Sequence, residues 1–292
     1  MLLNYMELAR VPQWIKNLFV FVPLLFSLNL FDKNYFLTTL YAFVVFSLAS
    51  SFIYIFNDII DIEEDRAHPT KKNRPLASGK IKLKSAIVIE VILIVIIIVL
   101  LLRFNLDFSI FVIGFIILNI LYSLWFKNVV ILDVFSIAAG FTIRVFAGAV
   151  VISVPVSNWL ILTTIFISLF LGVMKRHSEL LLVSKDEDVQ SRKVLSQYSL
   201  NFADQMATVA AAGVIICYAL YTVSERTVNV FGTEDLIFTT PFVVYGIFRY
   251  MYLEYISNKG DNTTKTVITD FQMIVTVVVY TITTVLIIYR II

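Results

Sequence analysis

The sequence predicts an all-α polytopic membrane bundle of about nine transmembrane helices, with its N-terminus cytoplasmic. Three observations carry that expectation. Hydrophobic residues make up 59% of the 292 positions and charged residues 15%, with a mean hydropathy of +0.88, a balance that excludes a soluble globular domain. Apolar runs of about 20 residues, the length that crosses a bilayer, recur along the whole chain. The lysines and arginines gather on one side of those runs, as they do in cytoplasmic loops.

Taken in order, the spans fall near 12–31, 36–57, 85–103, 107–126, 131–152, 156–175, 203–223, 236–257 and 267–290. No polar linker is long enough to separate two units, so 1–292 reads as a single domain. Met1–Arg10 lacks the small-residue cleavage pattern of a signal peptide, so the first span is expected to stay. The single cysteine, Cys217, sits in an apolar run and rules out a disulfide within the chain. With the N-terminus inside, only Lys33, Arg103, Arg226 and Arg290 of the 23 lysines and arginines fall outside, and Arg144 and Arg249 fall within spans. Both charged loops, 57–84 and 175–202, then face the cytoplasm, where Mg²⁺ and phosphorylated metabolites are available.

The first of those loops carries the densest chemistry: Asn57-Asp58-Ile-Ile-Asp61-Ile-Glu-Glu-Asp65-Arg66, then His68-Pro69, Lys71-Lys72 and Arg74-Pro75. At 100° per residue, Asp58, Asp61 and Asp65 fall within about 60° of one another on a helix, while Glu63 and Glu64 point elsewhere. Three carboxylates on one face repel unless a positive group lies between them. Mg²⁺, which takes oxygen ligands and shares them with phosphate, meets that need. Arg66, Lys71, Lys72 and Arg74 suit the phosphate. The competing reading is a solvated charged loop.

The second cluster is Lys175-Arg176-His177-Ser178-Glu179 at the end of the sixth span. Lys175 and Glu179 share a face, and Arg176 and Glu179 are also within reach. Two cations would hold phosphate oxygens, with Glu179 for a sugar hydroxyl or a second metal; a local ion pair at a membrane boundary explains the same residues. Arg144 lies deep in the fifth span, where an arginine needs a polar cavity or an acid. Its planar fork suits phosphate, and Asp133, three turns away on the same face, is the alternative ion-pair partner, itself also open to a metal or a sugar hydroxyl. Tyr122 and Lys127 close the fourth span, as substrate contacts or as an aromatic belt with a snorkelling lysine. Lys16 and Asn17, in the polar patch Gln13-Trp14-Ile15-Lys16-Asn17, reach for a phosphate or anchor the interface.

Asn57-Asp58-x-x-Asp61-x-x-x-Asp65 after a membrane helix, followed by Asn73-Arg74-Pro75-Leu76-Ala77-Ser78-Gly79, resembles the UbiA-type intramembrane prenyltransferase superfamily. That resemblance implies nine helices and a diphosphate held through Mg²⁺ on aspartate-rich loops. Gln13-Trp14-Ile15-Lys16-Asn17-Leu18, His68-Pro69-x-Lys71, Gly140-Phe-x-x-Arg144-x-x-Ala147-Gly148 and Lys175-Arg176-x-x-Glu179-Leu180 are similar to its decaprenyl-phosphate phosphoribosyltransferase branch. The second aspartate-rich motif of the aromatic prenyltransferases is not visible after the sixth span. Lys175-Arg176-x-x-Glu179 stands in its place, and Asp186 and Asp188 follow at another spacing.

The branch implies transfer of 5-phosphoribose from phosphoribosyl diphosphate to a polyprenyl phosphate, an intermediate for cell-wall polysaccharide, in the bacterial inner membrane. Its implied partners are the two substrates and the bilayer, not nucleic acid, with a homo-oligomer left open. Asp58, Asp61 and Asp65, with Asn57, are expected at Mg²⁺. Lys71, Arg74, Lys127, Arg144, Lys175 and Arg176 are expected at phosphates, with Arg66, Lys16, Asn17, Tyr122 and Asp133 as further substrate contacts and Glu179 in the catalytic group. Two rival readings remain. One is a prenyltransferase of the same fold acting on an aromatic acceptor. The other is a transporter, disfavoured because transporters place polar sites near the midplane in broken helices, whereas here charge concentrates at helix ends.

Overall fold

The computed structural model describes residues 2–67, 71–185, 193–256 and 269–291. His68, Pro69, Asp186 and Asp188, named above, lie outside them. Among the described residues the chain is helical throughout: α1 (Leu2–Leu8), α2 (Val22–Leu25), α3 (Lys33–Ile60), α4 (Ile62–Ala67), α5 (Leu83–Leu101), α6 (Leu106–Leu124), α7 (Leu132–Val151), α8 (Asn158–Lys185), α9 (Leu200–Val223), α10 (Glu225–Phe231), α11 (Thr240–Tyr255) and α12 (Phe271–Ile288). Among the described residues, eight helices are long and apolar enough to cross a membrane.

The first expected span is different. Val11–Phe21 is a 3₁₀ helix that runs into α2, so the segment is a shorter apolar piece, Val11–Leu25. Pro12 and Pro23 bracket it, and Gln13, Lys16 and Asn17 break its apolar face. The 3₁₀ rise of about 2 Å per residue lets so few residues reach further than an α-helix would. The segment is seated on α3 by polar contacts: the Trp14 indole N–H donates to Ser51 Oγ at 3.0 Å, and Ser51 Oγ donates to the Ala9 carbonyl at 2.8 Å.

The bundle has two packed halves that meet at α7. In one, Ala42, Val45, Phe46, Ala49 and Ile53 of α3 pack with Ile97 of α5, Phe108, Val112 and Phe115 of α6, Ala147 of α7 and Val20 of the N-terminal segment. In the other, Ala203, Ala207, Ala210 and Ala211 form a small-residue stripe on α9 against Phe170, Val173 and Met174 of α8, with Ile247 and Tyr250 of α11 and Met273 of α12. Without a hydrophobic drive between helices in lipid, close approach over small side chains is what holds such a pair. α5 exposes Val88, Val91, Ile92, Val95, Ile98 and Val99, an apolar surface suited to lipid. α8 continues well beyond 175, so Lys175, Arg176 and Glu179 stand within the helix and not at its end.

Gly148 of α7 decides how close the N-terminal segment comes. A Cβ there would sit 2.1 Å from the Val20 carbonyl oxygen, a distance no methyl group tolerates. Gly148→Ala is expected to cost about 1–3 kcal/mol, as overpacking does in a filled core. Thermal unfolding of the purified protein in detergent checks this; an unchanged midpoint would show that the segment is not packed there.

Candidate active site

α3 ends at Ile60, and Asp61 follows with φ −89° and ψ 12° before α4 begins at Ile62. The interruption means the three aspartates do not form one unbroken stripe. Asp58 and Asp65 are buried together around Arg74, whose Nη1 donates to Asp58 Oδ1 at 3.3 Å and to Asp65 Oδ2 at 2.5 Å. Arg10 also pairs with Asp58. Asp61 turns to Lys127, which donates to Oδ1 at 2.9 Å. Arg10 takes φ 48° and ψ 46°, left-handed geometry that non-glycine residues seldom adopt; it ends α1 and sends the guanidinium to α3, where it also lies 4.9 Å over the Tyr54 ring.

The positive partner required between these acids is therefore supplied by arginine and lysine. Among the described residues no three His, Cys, Asp or Glu side chains converge on one metal position. The donor set nonetheless fits Mg²⁺. Asp58 and Asp65 present hard oxygens to a single cationic point now held by Arg74, and Asp61 sits on the intervening turn. A metal would take the place of the guanidinium.

Tyr54, one turn before Asp58, connects this end to a cavity of about 280 Å³. Its walls come from the N-terminal segment (Ile15, Lys16, Phe19), α6 (Asn119, Tyr122), α7 (Ser136, Ile137, Gly140, Phe141, Arg144) and α8 (Leu171, Gly172, Lys175). Of the expected substrate contacts, Lys16, Tyr122, Arg144 and Lys175 are brought here from four elements. The volume suits a small phosphorylated molecule or the head of a larger one. Asn119 and Tyr54 were not singled out from sequence, since neither carries a charge or motif position.

A second network lies behind Tyr122. Arg176 and Asp133 have no exposed side-chain surface and pair at 2.6 Å through Nε. Arg176 also pairs with Glu179, and its Nη2 donates to the Tyr122 hydroxyl at 2.9 Å. Tyr198 donates to Asp133 Oδ1 at 2.8 Å while accepting from the Ile131 N–H at 2.8 Å. Burial, then the Asp133 bond, holds its hydroxyl above the ordinary tyrosine pKa, so it remains a donor. This revises two expectations. Arg176 is spent on protein partners and offers no free edge to a phosphate. Asp133 partners Arg176, not Arg144, because eleven positions place it roughly 16 Å along the helix from Arg144.

Other expectations change too. Asn17 is fully buried and does not line the cavity; it donates to Ser47 Oγ at 3.2 Å and accepts from Ser50 Oγ at 3.2 Å and from Arg144 Nε at 2.7 Å. Its role is to hold Arg144. Arg66 is exposed and pairs with Glu63 at 2.7 Å, away from the carboxylates. Asn57 accepts a bond from Ser123 of α6, which ties α3 to α6 beside Asp58. Lys71 is half-buried in a 3₁₀ turn that leads to Arg74. Arg10 and Tyr198 were missed: each acts across the fold, and only the arginine belonged to a charge pattern at all.

The geometry is thus a cluster of buried acids matched by cations at one end of a membrane bundle, above a cationic, partly apolar cavity. The UbiA prenyltransferase family model matches residues 18–275. The chain belongs to that family. It is 34% identical over 231 residues to the decaprenyl-phosphate phosphoribosyltransferase of Mycolicibacterium smegmatis, covering 78% of this chain and 72% of that protein. To the protein of the same name from Corynebacterium glutamicum it is 30% identical over 247 residues, covering 82% and 74%. A solved UbiA homologue from Archaeoglobus fulgidus, bound to GPP and Mg²⁺, superposes with a TM-score of 0.71 at 15% identity over 98% of this chain and 99% of that one. At that identity the likeness is one of fold.

Asp133→Asn removes the fully buried one of the two carboxylates that Arg176 meets and leaves Glu179 as the other. The expected loss is about 3–5 kcal/mol, as when one member of a buried pair is removed. Chemical denaturation in detergent measures it, and a loss under about 1 kcal/mol, typical of surface pairs, would show that this network does not hold α7 to α8.

Proposed function

We propose that this protein transfers 5-phosphoribose from phosphoribosyl diphosphate to a polyprenyl phosphate, releasing diphosphate, with Mg²⁺, at the cytoplasmic face of a bacterial inner membrane. The observation that carries the reading is the cavity wall. Lys16, Arg144 and Lys175 surround a space of about 280 Å³, more positive charge than a prenyl diphosphate needs once its diphosphate is on the acidic end. A donor with an additional phosphate and an acceptor that is itself a phosphate call for those cations. The names of the mycobacterial and corynebacterial relatives support the same substrates. The segregation of lysine and arginine supports the cytoplasmic face.

Asp58 and Asp65, with Asp61, would hold Mg²⁺ beside the diphosphate, and the chemistry it would supply there is neutralisation of charge on the leaving group. Arg10, Arg74 and Lys127, now on those carboxylates, pass to phosphate oxygens when the donor binds. The acceptor's phosphate oxygen forms the new bond to the anomeric carbon, and the bond from that carbon to the diphosphate oxygen breaks with its electron pair leaving on diphosphate. The sugar passes through an oxocarbenium-like state, as in other glycosyl transfers. A phosphate monoester with a second pKa near about 6 is already an anion, so no side chain need remove a proton. Tyr122, held by Arg176, and Asn119 line the space where the ribose hydroxyls would lie. The apolar residues Ile15, Phe19, Ile137 and Leu171 suit the first isoprene units and limit water.

The test is a pair of incubations with the reconstituted protein: labelled phosphoribosyl diphosphate with polyprenyl phosphate, and prenyl diphosphate with 4-hydroxybenzoate. Label is expected in lipid only in the first; product only in the second would replace this reading with aromatic prenyl transfer. Asp58→Asn and Asp61→Asn are each expected to reduce turnover roughly hundredfold or more. Metal-centred charge stabilisation amounts to several kcal/mol, and about 1.4 kcal/mol is a factor of ten. Full turnover with Mg²⁺ in Asp61→Asn would remove that residue from the site.

A further inference from the structure

Arg144 differs from Arg176, Arg10 and Arg74 in one respect. Arg176 meets Asp133 and Glu179, while Arg10 and Arg74 meet Asp58 and Asp65. Arg144 is 6% exposed and, among the described residues, has no carboxylate within ion-pair distance. Its bonds are to neutral groups: Nε to Asn17 Oδ1 at 2.7 Å and Nη1 to the Gly140 carbonyl at 2.9 Å. Its face lies over the Phe115 ring at 4.3 Å and the Phe141 ring at 5.3 Å. A guanidinium has five N–H donors in a planar fork, so the Nη2 edge is left without an acceptor among the described residues while the residue lines the cavity.

A cation this deep is costly unless an anion reaches it. The protein withholds one, and the cavity delivers the position for one. Depth separates it from the acidic end. Asn17 bonds to Ser47 and Ser50, and Ser50 lies eight positions before Asp58, about 12 Å along α3. Lys16, on the cavity wall and likewise without an acid partner among the described residues, supplies a second cation.

We infer that this inner end of the cavity is a subsite for a phosphate monoester, read by the Arg144 fork with Lys16, and aimed by Asn17 as a positioning residue. The inference rests on the function proposed above, in which two groups have that chemistry: the 5-phosphate of the donor and the phosphate of the lipid acceptor. Asn17 sets the fork by holding Nε, which leaves the outer edge facing the cavity for a bidentate contact.

Binding is measured on the full chain in detergent by thermal shift. The ligands are inorganic phosphate, ribose 5-phosphate, a short-chain polyprenyl phosphate, and diphosphate with Mg²⁺. In Arg144→Gln the half-saturating concentration of inorganic phosphate should rise at least tenfold while that of Mg²⁺–diphosphate stays within twofold; Arg144→Lys should restore part of the affinity. A matching loss for ribose 5-phosphate assigns the subsite to the donor, and one for polyprenyl phosphate assigns it to the acceptor. Asn17→Asp, nearly isosteric, installs the missing carboxylate beside Arg144 and should abolish phosphate binding in a folded protein, an effect a purely structural Arg144 would not show. Where Arg144→Gln does not fold, Lys16→Gln carries the comparison with an expected several-fold rise. Unchanged phosphate binding in Asn17→Asp, or equal weakening of diphosphate in every variant, would overturn the subsite. Wild-type protein that binds phosphate through Arg144 but transfers no phosphoribose would overturn the function and leave the subsite standing.

Discussion

Charge inside an apolar bundle must be matched, and the architecture of this protein follows from how the matching is done. Asp58, Asp61, Asp65 and Asp133 each meet a cation from a different part of the chain: Arg10 and Arg74, Lys127, Arg74, and Arg176. These pairs fix which helices stand next to one another at the acidic end. Arg10 draws α1 to α3, Lys127 ties the end of α6 to the turn after α3, and Arg176 locks α8 to α7. Apolar packing alone sets no such register, because Leu and Ile side chains are nearly as content against lipid as against each other.

The same pairs give the site its working character. Carboxylates that are already compensated do not repel one another, so the acidic end is held in one shape. Under the proposed function, a diphosphate would give those cations a second anion to serve. The Asp133–Arg176 pair, by contrast, has no exposed surface and is a fixed strut that presents Tyr122 to the cavity. Two pairs of similar chemistry therefore do different work, and exposure is what separates them.

Much of this was legible in the sequence. Apolar run length gave the spans, and the spacing Asp58-x-x-Asp61-x-x-x-Asp65 marked the acidic end. The i,i+3 relation of Arg176 to Glu179 appears in the fold as an ion pair. What was not legible has a common cause: periodicity reports angles around one helix and nothing about the helix opposite. The pairing of Arg176 with Asp133 was not visible because the two are forty-three positions apart, and that of Arg10 with Asp58 because they are forty-eight apart. Asn17 was read as a phosphate contact or an interfacial anchor, whereas Ser47, Ser50 and Arg144, from two other helices, enclose it. The first span was read as an ordinary helix because composition does not distinguish α from 3₁₀ winding.

The contact between Asn17 and Arg144 joins residues 127 positions apart, and that separation bears on biogenesis. The N-terminal segment emerges from the ribosome long before α7 exists. Until then Asn17 has only Ser47 and Ser50 of α3 to bond with and lacks the Arg144 donor, and a segment this short gains little by inserting alone. The N-terminal wall of the cavity is therefore complete only after α7 has brought Gly148 against Val20 and Arg144 against Asn17, which makes it one of the later contacts the chain can form.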